Sequence, residues 1–205
     1  MKTFTPLLLL LCLSCFSFTS FNTSTDDFDA QLNSVVADFK QNIFDQQKCM
    51  AASKKAGEIS DAIEDALNED GVSKSDRKKL EDLKKEAGAI EDFITAVTDV
   101  NGGFETVEKM NLANSRIHAD ISPVQKGDFC VDIISVSIGD FISYLAENNG
   151  SKIIAVNYKW KGPDGTKSGS GTITVFANSV HPMYNNQKDP ATKKLTFMGL
   201  NCKEK

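Results

Sequence analysis

Apolar residues recur at steps of mostly three and four from Phe28 through Leu32, Val35, Phe39, Ile43, Met50, Ala52, Ala56, Ile59, Ile63 and Leu67. That spacing lays them on one stripe of a helix. No proline interrupts the run, Thr25 or Asp26 is placed to cap its start, and the early acids Asp27 and Asp29 suit the helix dipole. The pattern predicts one helix of about 40 residues, ~60 Å long. Its weak points are the gap in the stripe at Gln46-Gln47-Lys48 and the glycine at Gly57. Asp70-Gly71 closes it, because glycine accepts the left-handed backbone that ends a helix. Ser73 then caps a second helix, with Asp76 in the acidic position of a capping box. There Leu80, Leu83, Ala87, Ile90, Ile94 and Val97 form a heptad seam, so the two helices fold back as an antiparallel hairpin that Asn101-Gly102-Gly103 terminates.

After a short helix from Phe104 to about Leu112, the period changes to two. Ile153 to Trp160 places Ile154, Val156, Tyr158 and Trp160 on one face, and Phe129–Ile138, Thr172–Ala177 and Leu195–Cys202 also read as strands. Asn149-Gly150 is the strongest hairpin signal, which makes Phe141–Ala146 a strand with Gly139 as a bulge; a short helix over Asp140–Glu147 is the alternative. Pro163-Asp164-Gly165 reads as a turn and Ser168-Gly169-Ser170-Gly171 as a flexible stretch. The expected fold class is α+β: a long antiparallel helical hairpin over 22–103, then an antiparallel β-meander of four to five strands over 104–205. One face of the sheet is expected to be buried against the helices or a second layer.

Residues 1–21 have a different pattern. Lys2 precedes an apolar run from Leu7 to Phe18 and then small polar residues, the three parts of a signal peptide. The run is too short for a membrane span, which needs roughly 18 or more apolar residues. Cleavage after Ser17 or Thr19 satisfies the small-residue rule. Cys15 as a lipid-bearing first residue is the alternative, although Cys12 stands where a leucine is usual. The expected destination is therefore extracellular, periplasmic or cell-envelope. The Cys12-Leu13-Ser14-Cys15 dithiol is discounted because it lies in the removed segment.

Three cysteines remain, Cys49, Cys130 and Cys202, and export makes one disulfide reasonable. Cys130–Cys202 is the preferred pair, with Cys49–Cys202 next. Charge is uneven: residues 22–103 carry a net of −8 and residues 104–205 a net of +2. Neither half is expected to offer the clustered basic face that phosphate binding needs, which argues against nucleic acid as a partner.

Chemistry is sparse. His118 and His181 are 63 positions apart and lack metal-ligand spacing, the glycines around Ser168 and Ser170 do not make a nucleophile elbow, and Asn68-Glu69-Asp70-Gly71 lacks the outer ligands of a calcium loop. No metal, cofactor or catalytic set is expected. The acids Asp61, Glu64, Asp65, Glu69 and Asp70 read as a solvated helix end. The stretch from Asn178 to Lys194 reads as a long loop, and its His181, Met183, Tyr184, Asn185 and Lys188, with Trp160 nearby in type, are the binding candidates. The expected function is an exported, non-catalytic binding or interaction protein for a protein or small extracellular ligand. The alternatives are a hydrolase assembled around His181 with Asp189 or Asp120, and a membrane-active protein using the amphipathic helices.

Overall fold

A computed structural model describes residues 24–99, 103–125, 130–189 and 194–205. The expected signal peptide, its expected cleavage site and Cys15 lie outside the described residues.

The first apolar stripe folds as two helices, α1 (Thr25–Gln41) and α2 (Gln46–Leu67), in place of the single helix expected. Polar caps make the corner: the Asn42 side chain donates to Asp38 O at 2.9 Å, and the Asp45 carboxylate accepts from Lys48 N at 3.1 Å. These satisfy backbone groups that a continuing helix would have satisfied internally. Ile43 continues the apolar spacing across the break and is buried there, which is why periodicity alone runs through it. The start is capped by Ser24, one residue earlier than expected, in a reciprocal capping box with Asp27.

Helix α3 (Lys74–Thr98) begins at Ser73 with Asp76 as expected and packs along α2 as an antiparallel hairpin closed by Gly71, whose φ is +93°. Gly57 is not a bend. It lies where α2 meets α3, and a Cβ there would fall 3.0 Å from the Glu91 carboxylate. Burial holds Glu91 above its ordinary carboxylate range, with the charges of Asp92 and Asp61 adding to the effect and Lys109 opposing it. The folded protein therefore binds this proton more tightly than the unfolded chain. Stability lost to the charged form at neutral pH returns as pH falls through the raised value. Glu91→Gln is expected to raise Tm at pH 7 by about 1–3 °C. The gain should vanish below about pH 4, where both states of the wild type are protonated; a gain constant with pH in thermal scans would refute this origin.

Helix α4 (Val107–Ile117) runs further than expected and ends at His118, in the left-handed conformation (φ 55°). Arg116 ties it down. Its guanidinium donates to both Glu86 oxygens at 2.9 and 2.7 Å, to Asp29 at 2.8 Å and to Asn33 at 2.8 Å, joining α4 to α3 and α1. The Glu86 hydrogen bonds, against the cost of burial, hold the Arg116 charge more firmly than usual, with Asp29 assisting.

Among the described residues seven antiparallel strands follow, in two sheets: β1 (Asp120–Gln125), β2 (Asp132–Ile138), β3 (Phe141–Asn148), β4 (Ile154–Lys161), β5 (Ser168–Val175), β6 (Ser179–Asn185) and β7 (Thr196–Glu204). The α+β class with antiparallel strands after helices is as expected. The strand count is higher than expected, and the strands divide into a four-stranded sheet in the order β1-β2-β3-β6 and a three-stranded one in the order β5-β4-β7. Ile134, Val136, Phe141, Leu145 and Val180 of the first sheet join the helical core. Ile133, Tyr144 and Ala146, from its other face, pack with Ile154, Val156, Tyr158 and Val175 of the second sheet. The molecule is thus three layers deep: helices, middle sheet, outer sheet.

Three local expectations change accordingly. Gly139, at φ +58°, is the first residue of the two-residue turn between Ile138 and Phe141, so it is a hairpin turn and not a bulge. Asn149-Gly150 joins two strands of different sheets and makes no hairpin. Asn148 shapes that corner, donating to Lys152 O at 2.8 Å and Phe176 O at 2.9 Å and accepting from Gly150 N at 2.9 Å. Ser168-Gly169-Ser170-Gly171 is the first half of β5. Its glycines face the rings of Trp160 and Tyr158 across the ladder, where a Cβ on Gly169 would meet the indole at 2.7 Å.

Cys130, just ahead of β2, is disulfide-bonded to Cys202 in β7, with 6.2 Å between their Cα atoms. The bond ties the middle sheet to the outer one. Cys49 is a buried free thiol, pushed up to about 11 by burial and by the Asp45 charge, and so is inert as a nucleophile at neutral pH.

Candidate functional site

Most of the segment expected as a loop is strand β6, on the edge of the middle sheet. Proline is tolerated at this edge, and a register shift opposite Tyr144 and Leu145 inserts Met183 between Pro182 and Tyr184. Proline and amides hid the strand from a reading by pattern.

The shift places Tyr184 opposite Tyr144, on the face toward the outer sheet. There it meets Trp160, with ring centroids 4.9 Å apart, and an aromatic cluster continues through Tyr144, Phe197 and Tyr158. Tyr158 Oη donates to Met183 O at 2.6 Å, and Tyr144 Oη accepts from Leu195 N at 2.9 Å. Burial raises both phenols, so they remain neutral donors and acceptors. Trp160 and Tyr184 form the half-buried rim of this cluster. At the same rim Lys167 pairs with Asp189.

Where the end of β6 meets the helix ends, Met183, Tyr184, Asn185 and Lys188 line a shallow cavity of about 240 Å³ together with Gln46, Thr98, Asp99 and Gln187. The start of α2 and the end of α3 form its other wall. Lys188 is exposed at its edge. Four of the six candidate residues therefore share one cavity, and a fifth, Trp160, packs at a tilt against one of them, Tyr184.

Asn185 has a structural task as well. Its side chain donates to Thr98 O at 3.2 Å and accepts from Gln187 N at 3.1 Å. Gln187 Nε2 donates to Ile43 O at 3.1 Å in the α1–α2 corner, and the Asn186 amide exchanges hydrogen bonds with Ile142 N and Asp140 O at 2.9 Å each. Three consecutive amides thus strap the end of β6 to two helix ends and to the β2–β3 turn. A run of Asn-Asn-Gln after apolar residues is the one sequence signal for this strap, and it is weak.

The chain matches no protein-family model, no curated protein and no solved structure at a significant level.

His181 is not part of the 240 Å³ cavity. It borders a second hollow of about 430 Å³ on the outer edge of β6, beside Phe104 and the exposed Phe176, with its Nδ1 3.1 Å from Pro182 O. The carboxylates considered for it are engaged elsewhere: Asp189 pairs with Lys167, and Asp120 accepts from Ser122 at 3.2 Å. Neither Asp189 nor Asp120 lines this hollow; the carboxylate that does is Glu105. Among the described residues, no three His, Cys, Asp or Glu side chains converge as a metal-binding group, and no helix is long and apolar enough to cross a membrane. The apolar stripes of α1, α2 and α3 are spent on the shared core.

Proposed function

We propose that this chain is an exported binding protein, without chemistry of its own, that captures a protein or small extracellular ligand where β6 meets the helix ends. The observation that carries the reading is the gathering of Met183, Tyr184, Asn185 and Lys188 around one cavity, with Tyr184 packed at a tilt against Trp160 at its rim. A concave site that sets Met183 and Tyr184 beside both a cation, Lys188, and an acid, Asp99, suits recognition of an amphipathic group that carries polar atoms. The Cys130–Cys202 disulfide supports export, because such bonds persist in oxidising compartments.

The test is capture of ligand from the extracellular or envelope fraction by the wild type and by the Tyr184→Ala, Lys188→Ala double variant, with near-ultraviolet circular dichroism to confirm packing. Capture is expected to fall by about tenfold or more, as for loss of a central aromatic and its charged neighbour. A folded variant that captures as well as the wild type would remove the cavity from the proposal.

A further inference from the structure

The outer sheet has a second face, turned away from the aromatic cluster. Along β4, Val156, Tyr158 and Trp160 point inward, so Asn157, Lys159 and Lys161 point out and are exposed. Register carries the pattern to both neighbours. Lys203 lies opposite Ala155 and Asn201 opposite Asn157 on β7, while Ser170 and Thr172 of β5 lie opposite Lys159 and Asn157. Lys205 continues β7 beyond its last paired residue, and its Nζ reaches over Ala155 to donate to Thr174 Oγ1 at 2.9 Å.

Lys159, Lys161, Lys203 and Lys205 thus share one face with hydroxyl and amide side chains and with the exposed Met198 opposite Lys159, and the outward positions of the three strands hold no acid. Glu204 lies in the alternate row and is taken by Lys152 at 2.6 Å. Among the described residues, none of the four lysines makes an ion pair. This is unusual placement for a chain with a net charge of −5: like charges gathered on one face repel, and among the described residues no ion pair to these lysines offsets the repulsion.

The spacing identifies the kind of partner. Lys161 and Lys159 are ~7 Å apart along β4, and the row from Lys161 to the level of Ala155, where Lys203 and the Lys205 ammonium lie, extends ~20 Å at the rise of a strand. A single phosphate would need convergent donors. A row this long and straight fits a linear polyanion.

We propose that this face binds an extended acidic polysaccharide, with its carboxylate or sulfate groups on the lysine row and its hydroxyls on the Ser, Thr and Asn side chains between. Single-stranded nucleic acid is disfavoured because bases need exposed aromatic platforms, and Tyr158 and Trp160 are turned inward. A duplex is disfavoured because a flat sheet face presents no helix or ribbon to enter a groove. The surface is separate from the Tyr184 cavity and does not depend on it.

The experiment measures binding of the leaderless chain to heparin, polygalacturonate, neutral dextran and oligothymidylate over a range of salt. One or both acidic polysaccharides should bind at about 50 mM salt and dextran should not. Heparin alone would identify sulfate, and polygalacturonate alone carboxylate, as the favoured group. The Lys159→Gln, Lys203→Gln double variant should bind about tenfold more weakly, with the slope of log K against log salt reduced by about two. The Lys161→Gln, Lys205→Gln pair should do the same, giving an independent readout if either variant folds poorly. Tyr184→Ala should leave this binding unchanged while disrupting cavity capture, so the two proposals fail separately. The proposal is overturned if neither acidic polysaccharide binds, if both lysine pairs bind as the wild type, if Tyr184→Ala abolishes the binding, or if oligothymidylate binds more tightly than either polysaccharide.

Discussion

Replacing both Cys130 and Cys202 with serine is expected to remove about 4 kcal/mol of stability, the chain-entropy value for a crosslink closing a long loop. The bond spans 72 positions of sequence and joins the start of β2 in the middle sheet to the end of β7, an edge strand paired only with β4. Without it the unfolded ensemble expands, and β7 is held by one ladder and by the packing of Leu195 and Phe197. Total stability for a domain is typically about 5–15 kcal/mol, so such a loss is large. Denaturant titration should show the midpoint falling and the m-value rising, because more surface is exposed on unfolding. A loss below about 1 kcal/mol would mean that the denatured chain is already compact around this link.

Gly171→Ala is expected to cost about 3 kcal/mol, the sum of an overpacked contact and a broken buried hydrogen bond. A Cβ at Gly171 would sit 2.5 Å from Tyr158 Cζ, and that ring cannot retreat without giving up its bond to Met183 O. Gly88→Ala is the internal contrast. Nothing lies within 4 Å of a Cβ there, on a helix where alanine is preferred, so it should stabilise by about 0.5–1 kcal/mol. Thermal melts of the two variants should move in opposite directions. If they shift together, the close approach of Tyr158 to β5 is not what requires Gly171.

Gly169 and Gly171 also show why part of the fold was hidden in the sequence. A Ser-Gly-Ser-Gly tract has the composition of a linker, and its strand identity comes from rings on β4 that need the room. The helices were legible because each buries one stripe against one core. Strand β3 was harder to place because it is buried on both faces, so Phe141, Tyr144, Leu145 and Ala146 do not alternate with polar residues. The corner at 42–45 escaped notice because Ile43 keeps the helical spacing through it.

The candidate site was partly legible for a reason that did not hold. Tyr184, Asn185 and Lys188 were singled out as loop residues, but the first two end a strand and earn their position through the register shift at Met183. Trp160 belongs beside Tyr184 only because β4 and β6 lie in different sheets that face each other. The lysine face corrects the expectation that neither half offers a clustered basic face, since Lys159 and Lys161 share a face with Lys203 and Lys205 only through the pairing of β4 with β7.

The middle sheet acts as a wall common to two interiors. Neighbouring residues along β3, such as Tyr144 and Leu145, belong to different cores, one shared with the outer sheet and one with the helices. A polar substitution on either side of that wall has no solvent to turn toward. Tolerance to sequence change should therefore be graded by layer: lowest along β2 and β3, intermediate on the inward stripes of the helices, and highest on the outward rows of β5 and β7. Over evolutionary time, such a protein is free to re-specify what it binds on its outermost sheet while the strands beneath stay nearly fixed.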